Sequence, residues 1–332
     1  MNVSSRTSQS TEAAAPPRSY DELVERSPQG SVFATAWWLD AVAPGRWQTH
    51  AVEESGAVVA AWPTVFRSSL WGDVHAGAPI TPYLGPLLTA GEGAHRRSRE
   101  AEQLELLLER LGGFAHLEAR CSPAFDYWTP LHWHGFSQTT HYSWRLVDLS
   151  DPDAVFAGLR ENVRREIRKA RKRALVVEEG TLPEYLQVHE QTAQRHDRLD
   201  QARANRALIE RVDAAAAARK AREILVARDP DGRTHSGAYF VRDARWTYYL
   251  LGGSDPELRT SGAASLVMWA AIERAGARGT GFDFEGSMLR HVERFVRSWG
   301  GVPASYSLLR RTPSRGFGAE RALKRAFLRV LL

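Results

Sequence analysis

The chain has 332 residues, with 44 Lys and Arg against 39 Asp and Glu, 11 His and one cysteine. That length predicts about two compact units, and a hydrophobic fraction of 43% supplies cores and excludes a mostly disordered chain. The lone Cys121 excludes a disulfide scaffold or a cysteine-pair zinc site within one chain, and no run approaches the roughly 18 apolar residues of a membrane span. The first thirty residues lack an apolar stretch, so a soluble, cytoplasmic protein is expected.

Residues 1–17 are rich in Ser, Thr, Ala and Pro without periodicity and read as a disordered lead-in. Short helices are predicted over 20–27 and 34–43, then strands over 46–53 and 57–66 turned by Ser55-Gly56. A helix over 98–111 carries Leu104, Leu107, Leu108 and Leu111 at helical spacing and stops at Gly112-Gly113; a strand follows over 114–119. The second half repeats that order. One helix is predicted over 158–174, with Leu159, Val163, Ile167, Ala170 and Ala174 on one stripe. Helices over 183–196 and 200–221 lead to three antiparallel strands over 224–228, 237–242 and 245–251. A glycine-punctuated loop over 252–262 opens a helix over 263–275, and a strand over 280–284 comes next. The predicted class is α+β (mixed α/β), with two lobes of similar element order and no residue-level repeat.

The loop 252–262 carries the strongest signal. Arg259, Gly262 and Ala264 stand as R-x-x-G-x-A where a helix starts after a strand. Backbone N–H groups uncrowded by side chains, at the positive end of a helix dipole, bind pyrophosphate or another anion, and Arg259 adds a charge-assisted contact. The donor-binding candidates are therefore Arg259, Ser261, Gly262, Ala263, Ala264 and Ser265. A bulky residue at 262 is expected to abolish donor binding in a protein that still folds.

This loop resembles the acyl-CoA pyrophosphate loop of the GNAT N-acetyltransferase superfamily. The wider run from Tyr248 to Gly301, with Gly281-Phe-Asp-Phe-Glu-Gly-Ser287 and Arg297-Ser-Trp-Gly-Gly301, resembles the C-terminal lobe of Fem-type aminoacyltransferases and of their FemAB-like or BioF-like relatives. Asn162-Val-Arg-Arg-Glu-Ile-Arg-Lys-Ala170, Phe33–Leu39 and Thr81–Pro86 match further landmarks. The resemblance implies tandem GNAT-like lobes, each a mostly antiparallel sheet flanked by helices. A first, acceptor-side lobe would span 18–148 and a second, donor-binding lobe 149–312, followed by a basic amphipathic helix over 313–332. It implies transfer of an acyl or aminoacyl group from acyl-CoA or aminoacyl-tRNA to an amine on a small molecule, a peptidoglycan precursor or an exopolysaccharide precursor. At one position the chain departs from the Fem pattern: Val296 stands where a lysine handles the tRNA end and the transferring proton, and Arg297 is the next cation. Valine neither donates a hydrogen bond nor holds charge.

Acyl transfer to an amine needs a proton acceptor, donors for the tetrahedral oxyanion and alignment of the two substrates. Glu285, at a strand end beside Gly286, is the base candidate, whereas Asp283 is expected to cap a helix or to pair with Arg294 or Arg297. Tyr249 is placed to protonate a leaving thiolate or ribose oxygen, and Arg297 to steady an oxyanion. The acceptor pocket is expected near Trp38, Tyr83 and Ser287. Residues 160–173 hold eight Arg or Lys against Glu161 and Glu166, a surplus of six beside the +5 of the whole chain. Arg164, Arg165, Arg168 and Lys169 are candidates for binding the phosphates of CoA or tRNA. The C-terminal helix, with an apolar stripe through Ala322/Leu323, Ala326/Phe327 and Val330/Leu331, suits contact with an anionic membrane surface or RNA. No metal site is predicted: His132, His134 and His141 lack a completing ligand set. A non-catalytic RNA- or membrane-surface-binding protein on an inactive acyltransferase fold is the alternative.

Overall fold

The computed structural model describes residues 19–89, 93–286 and 288–330, with side chains described to residue 322. The lead-in expected over 1–17, the candidate Ser287 and the apolar stripe from Leu323 onward lie outside these. In chain order the elements are α1 (Tyr20–Arg26), α2 (Ala36–Val42), β1 (Trp47–Glu54), β2 (Ala57–Ser69), β3 (Gly72–Ala76), β4 (Leu87–Leu88), α3 (Arg96–Leu111), β5 (His116–Arg120), α4 (Thr129–Trp133) and β6 (Ser137–Leu146). The second half adds α5 (Pro152–Gly158), α6 (Glu161–Lys172), β7 (Val176–Glu179), α7 (Leu182–Arg195), α8 (Leu199–Ala218), β8 (Arg222–Arg228), β9 (Thr234–Arg242) and β10 (Trp246–Ser254). It ends with α9 (Ala263–Ala277), β11 (Gly281–Asp283), α10 (Arg290–Arg297), β12 (Val302–Arg311) and α11 (Arg315–Val330).

Local chemistry accounts for many of these boundaries. A reciprocal capping box between Thr181 and Glu184 starts α7, and the Asp151 carboxylate accepts from the amides of Asp153 and Ala154 to start α5. Gly112 ends α3 at φ +62°, the left-handed half of backbone space that glycine enters without strain. The single helix expected over 158–174 is two helices. Leu159 and Arg160 are extended, because the Arg160 amide donates to the Ser298 carbonyl at 3.0 Å instead of continuing the helical ladder.

The strands form one mixed sheet in the order β1-β2-β3-β5-β12-β6-β11-β10-β9-β8-β7, with β4 on β2. Two pairs are parallel, β3 with β5 and β10 with β11; the others are antiparallel. β6, from the first half of the chain, pairs with β11 of the second, and the late strand β12 returns to pair with β5. β6 and β12 pair with each other over nine residues at the centre.

Alternation along β9 sends Tyr239 to one face and Phe240 to the other, and a core sits on each. Tyr239 joins Tyr185, Ile209 and Val212 of α7 and α8 to Leu23, Trp38 and Leu39 of α1 and α2, so this core is shared by both halves. Phe240 and Phe282 lie under Val163 and Ile167 of α6 and Val267 and Ile272 of α9. A third core packs Leu104 and Leu107 of α3 on Trp62 and Leu117. Among the described residues no helix is long and apolar enough to cross a membrane.

Candidate active site

β10 and β11 are hydrogen-bonded as parallel strands only from Trp246/Gly281 to Tyr248/Asp283. Beyond that point they part, and an irregularity between Tyr249 and Leu251 bends β10 just where its neighbour leaves. Among the described residues, the β11-facing edge of β10 past Tyr248 therefore has no strand partner. A cavity of about 230 Å³ opens against this stretch. Its walls are Tyr249 and Gly253 of β10, Thr192 and Arg195 of α7, Arg259 and Ala264 at the start of α9, and Phe295 of α10.

The loop before α9 is the one in which an anion cradle is expected. A 3-10 turn over Arg259–Ser261 leads into Gly262, which caps α9 at φ +87°. Ser261 is buried, and its hydroxyl accepts from the Ala263 amide at 3.3 Å. The amides that follow, of Ala264 and Ser265, belong to a first helical turn with no carbonyl above it. Arg259 and Ala264 are exposed at the cavity wall, and Arg195 adds a second cation across it.

Gly262 is fixed by packing as well as by its φ. A Cβ there would lie 2.2 Å from the Glu166 carbonyl oxygen and 3.3 Å from the Ala170 Cβ, both on α6. The expectation that a bulky residue at 262 leaves the fold untouched is therefore corrected: it would push α6 away and force a side chain into left-handed backbone. Glycine to alanine alone is expected to lower the melting temperature, since the left-handed conformation costs an L-residue roughly 1–2 kcal/mol.

The same contact places the basic helix beside the loop. Val163, Ile167 and Ala170 are buried, so α6 is docked with its charges in fixed positions. Arg164 and Arg168 pair with Glu161 at 2.7 and 3.0 Å, and Lys169 pairs with Glu166 at 3.3 Å. Arg165 is exposed and makes no ion pair among the described residues.

Past the last β10–β11 pair, Tyr249 and Glu285 stand on opposite lips of the gap. Glu285 does not line the cavity itself, but its charge reaches Tyr249, and burial together with this carboxylate pushes the phenol up to about 12. The Glu285 Oε1 is buried without a hydrogen-bond partner among the described residues. Burial, with the charge of Asp283 nearby, raises the Glu285 carboxyl well above the usual carboxylate range. Glu285 and Gly286 are both left-handed, at φ +58° and +61°. That turn is held because the Glu285 amide donates to Asp283 Oδ1 at 2.8 Å and Gly286 lies flat on β6, where a Cβ would come within 2.2 Å of the Tyr142 carbonyl oxygen. A non-glycine residue held left-handed at a cleft, with an unpartnered carboxyl oxygen, is a common mark of a functional position.

Asp283 serves a different purpose. It is fully buried, and its partner is Arg145 of β6 at 2.8 Å, not Arg294 or Arg297. Its carboxylate also accepts from the Ser143 and Tyr83 hydroxyls. Arg145 in turn stacks over Trp246, 4.2 Å from the ring centroid.

Three expected positions are placed elsewhere. Trp38 is wholly buried in the shared core, its indole N–H donating to Thr81 at 3.0 Å, so it has no face to offer an acceptor. Tyr83 is 2% exposed and bound to Asp283; it supports the site from behind rather than lining a pocket. Arg297 pairs with Glu293 at 3.1 Å on the outer side of α10 and is not in the cavity wall. Val296 is buried beside Trp299, so the position where the Fem pattern has a lysine faces the core here. The α7 contributions, Thr192 and Arg195, were missed from sequence; the only available sign was the polar end of an otherwise apolar-faced helix.

Residues 157–295 match the family described as acetyltransferase (GNAT) domain. No curated protein matches the chain significantly. Among solved structures, that of FemX has a TM-score of 0.68 at 14% identity, covering 87% of this chain and 94% of its own. A conserved protein of unknown function from Bacteroides thetaiotaomicron has a TM-score of 0.60 at 11% identity, covering 88% of this chain and 94% of its own. At such identities the likeness is one of fold.

Proposed function

We propose that this chain, whose residues 157–295 match the acetyltransferase (GNAT) domain family, is an N-acyltransferase whose donor, an acyl-CoA, lies in the cavity between α7, β10 and the start of α9. The observation that carries this reading is the anion cradle, Arg259 and the first turn of α9, opening beside the parted edge of β10. A pyrophosphate there meets free amides, the helix dipole and the cations Arg259 and Arg195. The acyl arm then runs along the unpaired edge of β10 towards Tyr249.

The acceptor amine approaches from the Glu285 side. As its nitrogen attacks the acyl carbonyl carbon, its proton passes to the Glu285 carboxylate, directly or through water, and the carbon–sulfur bond breaks as the Tyr249 phenol gives its proton to the leaving thiolate. A phenol held near 12 stays protonated at neutral pH and is ready for that task. A carboxyl with a raised pKa is a stronger base once ionised, and an incoming ammonium group favours its ionisation. The acceptor is an amine on a small molecule or on a peptidoglycan or exopolysaccharide precursor.

Aminoacyl-tRNA is the second reading. It is favoured by α6, whose Arg165 has no ion-pair partner among the described residues and which docks against the donor loop through Gly262. Two measurements separate these donors. Acetyl-CoA binding should depend mildly on salt, whereas tRNA binding would fall steeply with it. Ala264→Glu places a carboxylate at the cradle, on an exposed position where an acidic residue suits the helix N-terminus, so the fold should keep its melting temperature. Acetyl-CoA affinity should drop by about tenfold or more; undiminished binding overturns the donor assignment. Absence of turnover with every donor and amine, with RNA binding retained, would favour the non-catalytic alternative.

A further inference from the structure

A second cavity, of about 360 Å³, lies away from the donor cleft, at the end of the sheet where β9 turns into β10. Its walls come from both halves of the chain: Val32 from a 3-10 turn over Val32–Ala34, Trp37 from α2, Arg219 from the end of α8, and Arg242 and Arg245 from the β9–β10 turn. From these we infer a binding site for a small oxyanion carried on a flat aromatic body, an aromatic carboxylate or aryl phosphate, held by Arg219 and Arg242 with Trp37 against the ring.

The charges facing the cavity support this class of ligand. Asp243 lines it, but both of its oxygens are taken: Oδ1 accepts from the Arg245 and Trp246 amides, and Oδ2 from the Val32 amide and the Tyr248 hydroxyl. Arg245 is committed to the carbonyls of Ser27 and Gly30. Arg242 makes no ion pair among the described residues. Two carboxylates, Glu223 and Glu179, act on it electrostatically, and Glu223 is bound by Arg274 at 2.7 Å and Arg278 at 2.9 Å. Burial and the charge of Arg278 lower the Arg242 pKa, although Glu223 and Glu179 act to raise it. Arg219 lies 5.0 Å over the Trp37 ring and, among the described residues, gives one hydrogen bond, to the Ala215 carbonyl, leaving the remainder of its fork to a ligand. Glu25, exposed at the rim, is the one carboxylate in the wall without a hydrogen-bond partner among the described residues and is the competitor a ligand must displace. Two guanidiniums beside a half-buried indole match an oxyanion on a ring, since the fork pairs bidentately with carboxylate or phosphate and the indole covers the apolar face.

The test is titration calorimetry of the full chain with 1-naphthoate, 1-naphthyl phosphate and the neutral 1-naphthalenemethanol, with tryptophan fluorescence followed in parallel. One or both anions should bind and quench fluorescence, the better of the two naming the headgroup, and the alcohol should bind at least tenfold more weakly. Arg242→Gln and Arg219→Gln, each checked for an unchanged melting temperature, should weaken the anion by tenfold or more. Ala264→Glu should leave it unchanged. Equal binding of the alcohol, no binding of either anion at millimolar concentration, full affinity in Arg242→Gln, or loss in Ala264→Glu (which would place the probe in the donor cleft) overturns the proposal. Because the last outcome is read separately, failure here and failure of the acyltransferase reading are distinguishable.

Discussion

Glu285→Gln is expected to lower turnover with an amine acceptor by about 10²–10⁴-fold near neutral pH, the range usual for loss of a positioned proton acceptor. Glutamine keeps the size and polarity of the side chain but cannot take a proton. The wild-type kcat/KM should rise with pH as Glu285 ionises, on a limb displaced above the ordinary carboxylate range because burial disfavours the charge. That limb should vanish in the variant. Stability gives an independent reading with a definite sign. A carboxyl whose pKa is higher in the folded than in the unfolded chain lets the fold keep its full stability below the unfolded value, and stability is lost as pH rises through the folded one. The melting temperatures of wild type and Glu285→Gln should therefore agree near pH 4 and diverge at alkaline pH, with the variant higher. Unchanged turnover would remove Glu285 from the mechanism, whatever the melting curves show.

Asp283→Ala should be the most destabilising single change near the site, by about 3–5 kcal/mol, because it leaves Arg145 buried without its counter-charge. The loss extends further. Ser143 and Tyr83 each lose an acceptor, and the Glu285 amide loses the bond that holds its left-handed turn. Urea unfolding of the variant should show a lower midpoint with an unchanged slope. Asp283→Asn keeps one acceptor oxygen, enough for the Ser143 hydroxyl and the Glu285 amide, but loses the charge and turns a donor towards Arg145, so it should fall between wild type and alanine. If alanine costs under about 1 kcal/mol, Arg145 has found water and the site is wetter than its packing implies.

The turn from β10 into α9 was legible in the sequence because its determinants are local: a strand, a run of small residues and a helix start lie within a few positions of one another. The α6 stripe was legible for the same reason, through the spacing of Val163, Ile167 and Ala170. What escaped depends on residues far apart in the chain. Arg145 meets Asp283 only because β6 crosses into the second half of the sheet. Neither β6 nor β12 showed itself as a strand, since both are polar over much of their length and owe their conformation to pairing with each other. The break at Leu159–Arg160 is imposed by Ser298, against a helical pattern that runs straight through it. Trp38 and Tyr83 were recognisable as landmarks, yet whether an aromatic landmark lines a pocket or fills a core is decided by packing. The cavity wall supplied by α7 is of the same kind, set by how closely Gly253 lets that helix approach, with a Cβ there falling 2.7 Å from the Val188 carbonyl oxygen.

The exchange of β6 and β12 also bears on how the protein is made. During synthesis the ribosome releases β5 long before β12, the strand that must lie beside it, has been translated. Until then the first half presents an open strand edge, the kind of surface on which nascent chains aggregate. A fragment ending after β6 would carry that defect permanently, and its β6 would lack both of its neighbours. Separately expressed halves should therefore be insoluble or chaperone-bound, while the two produced together recover a soluble complex.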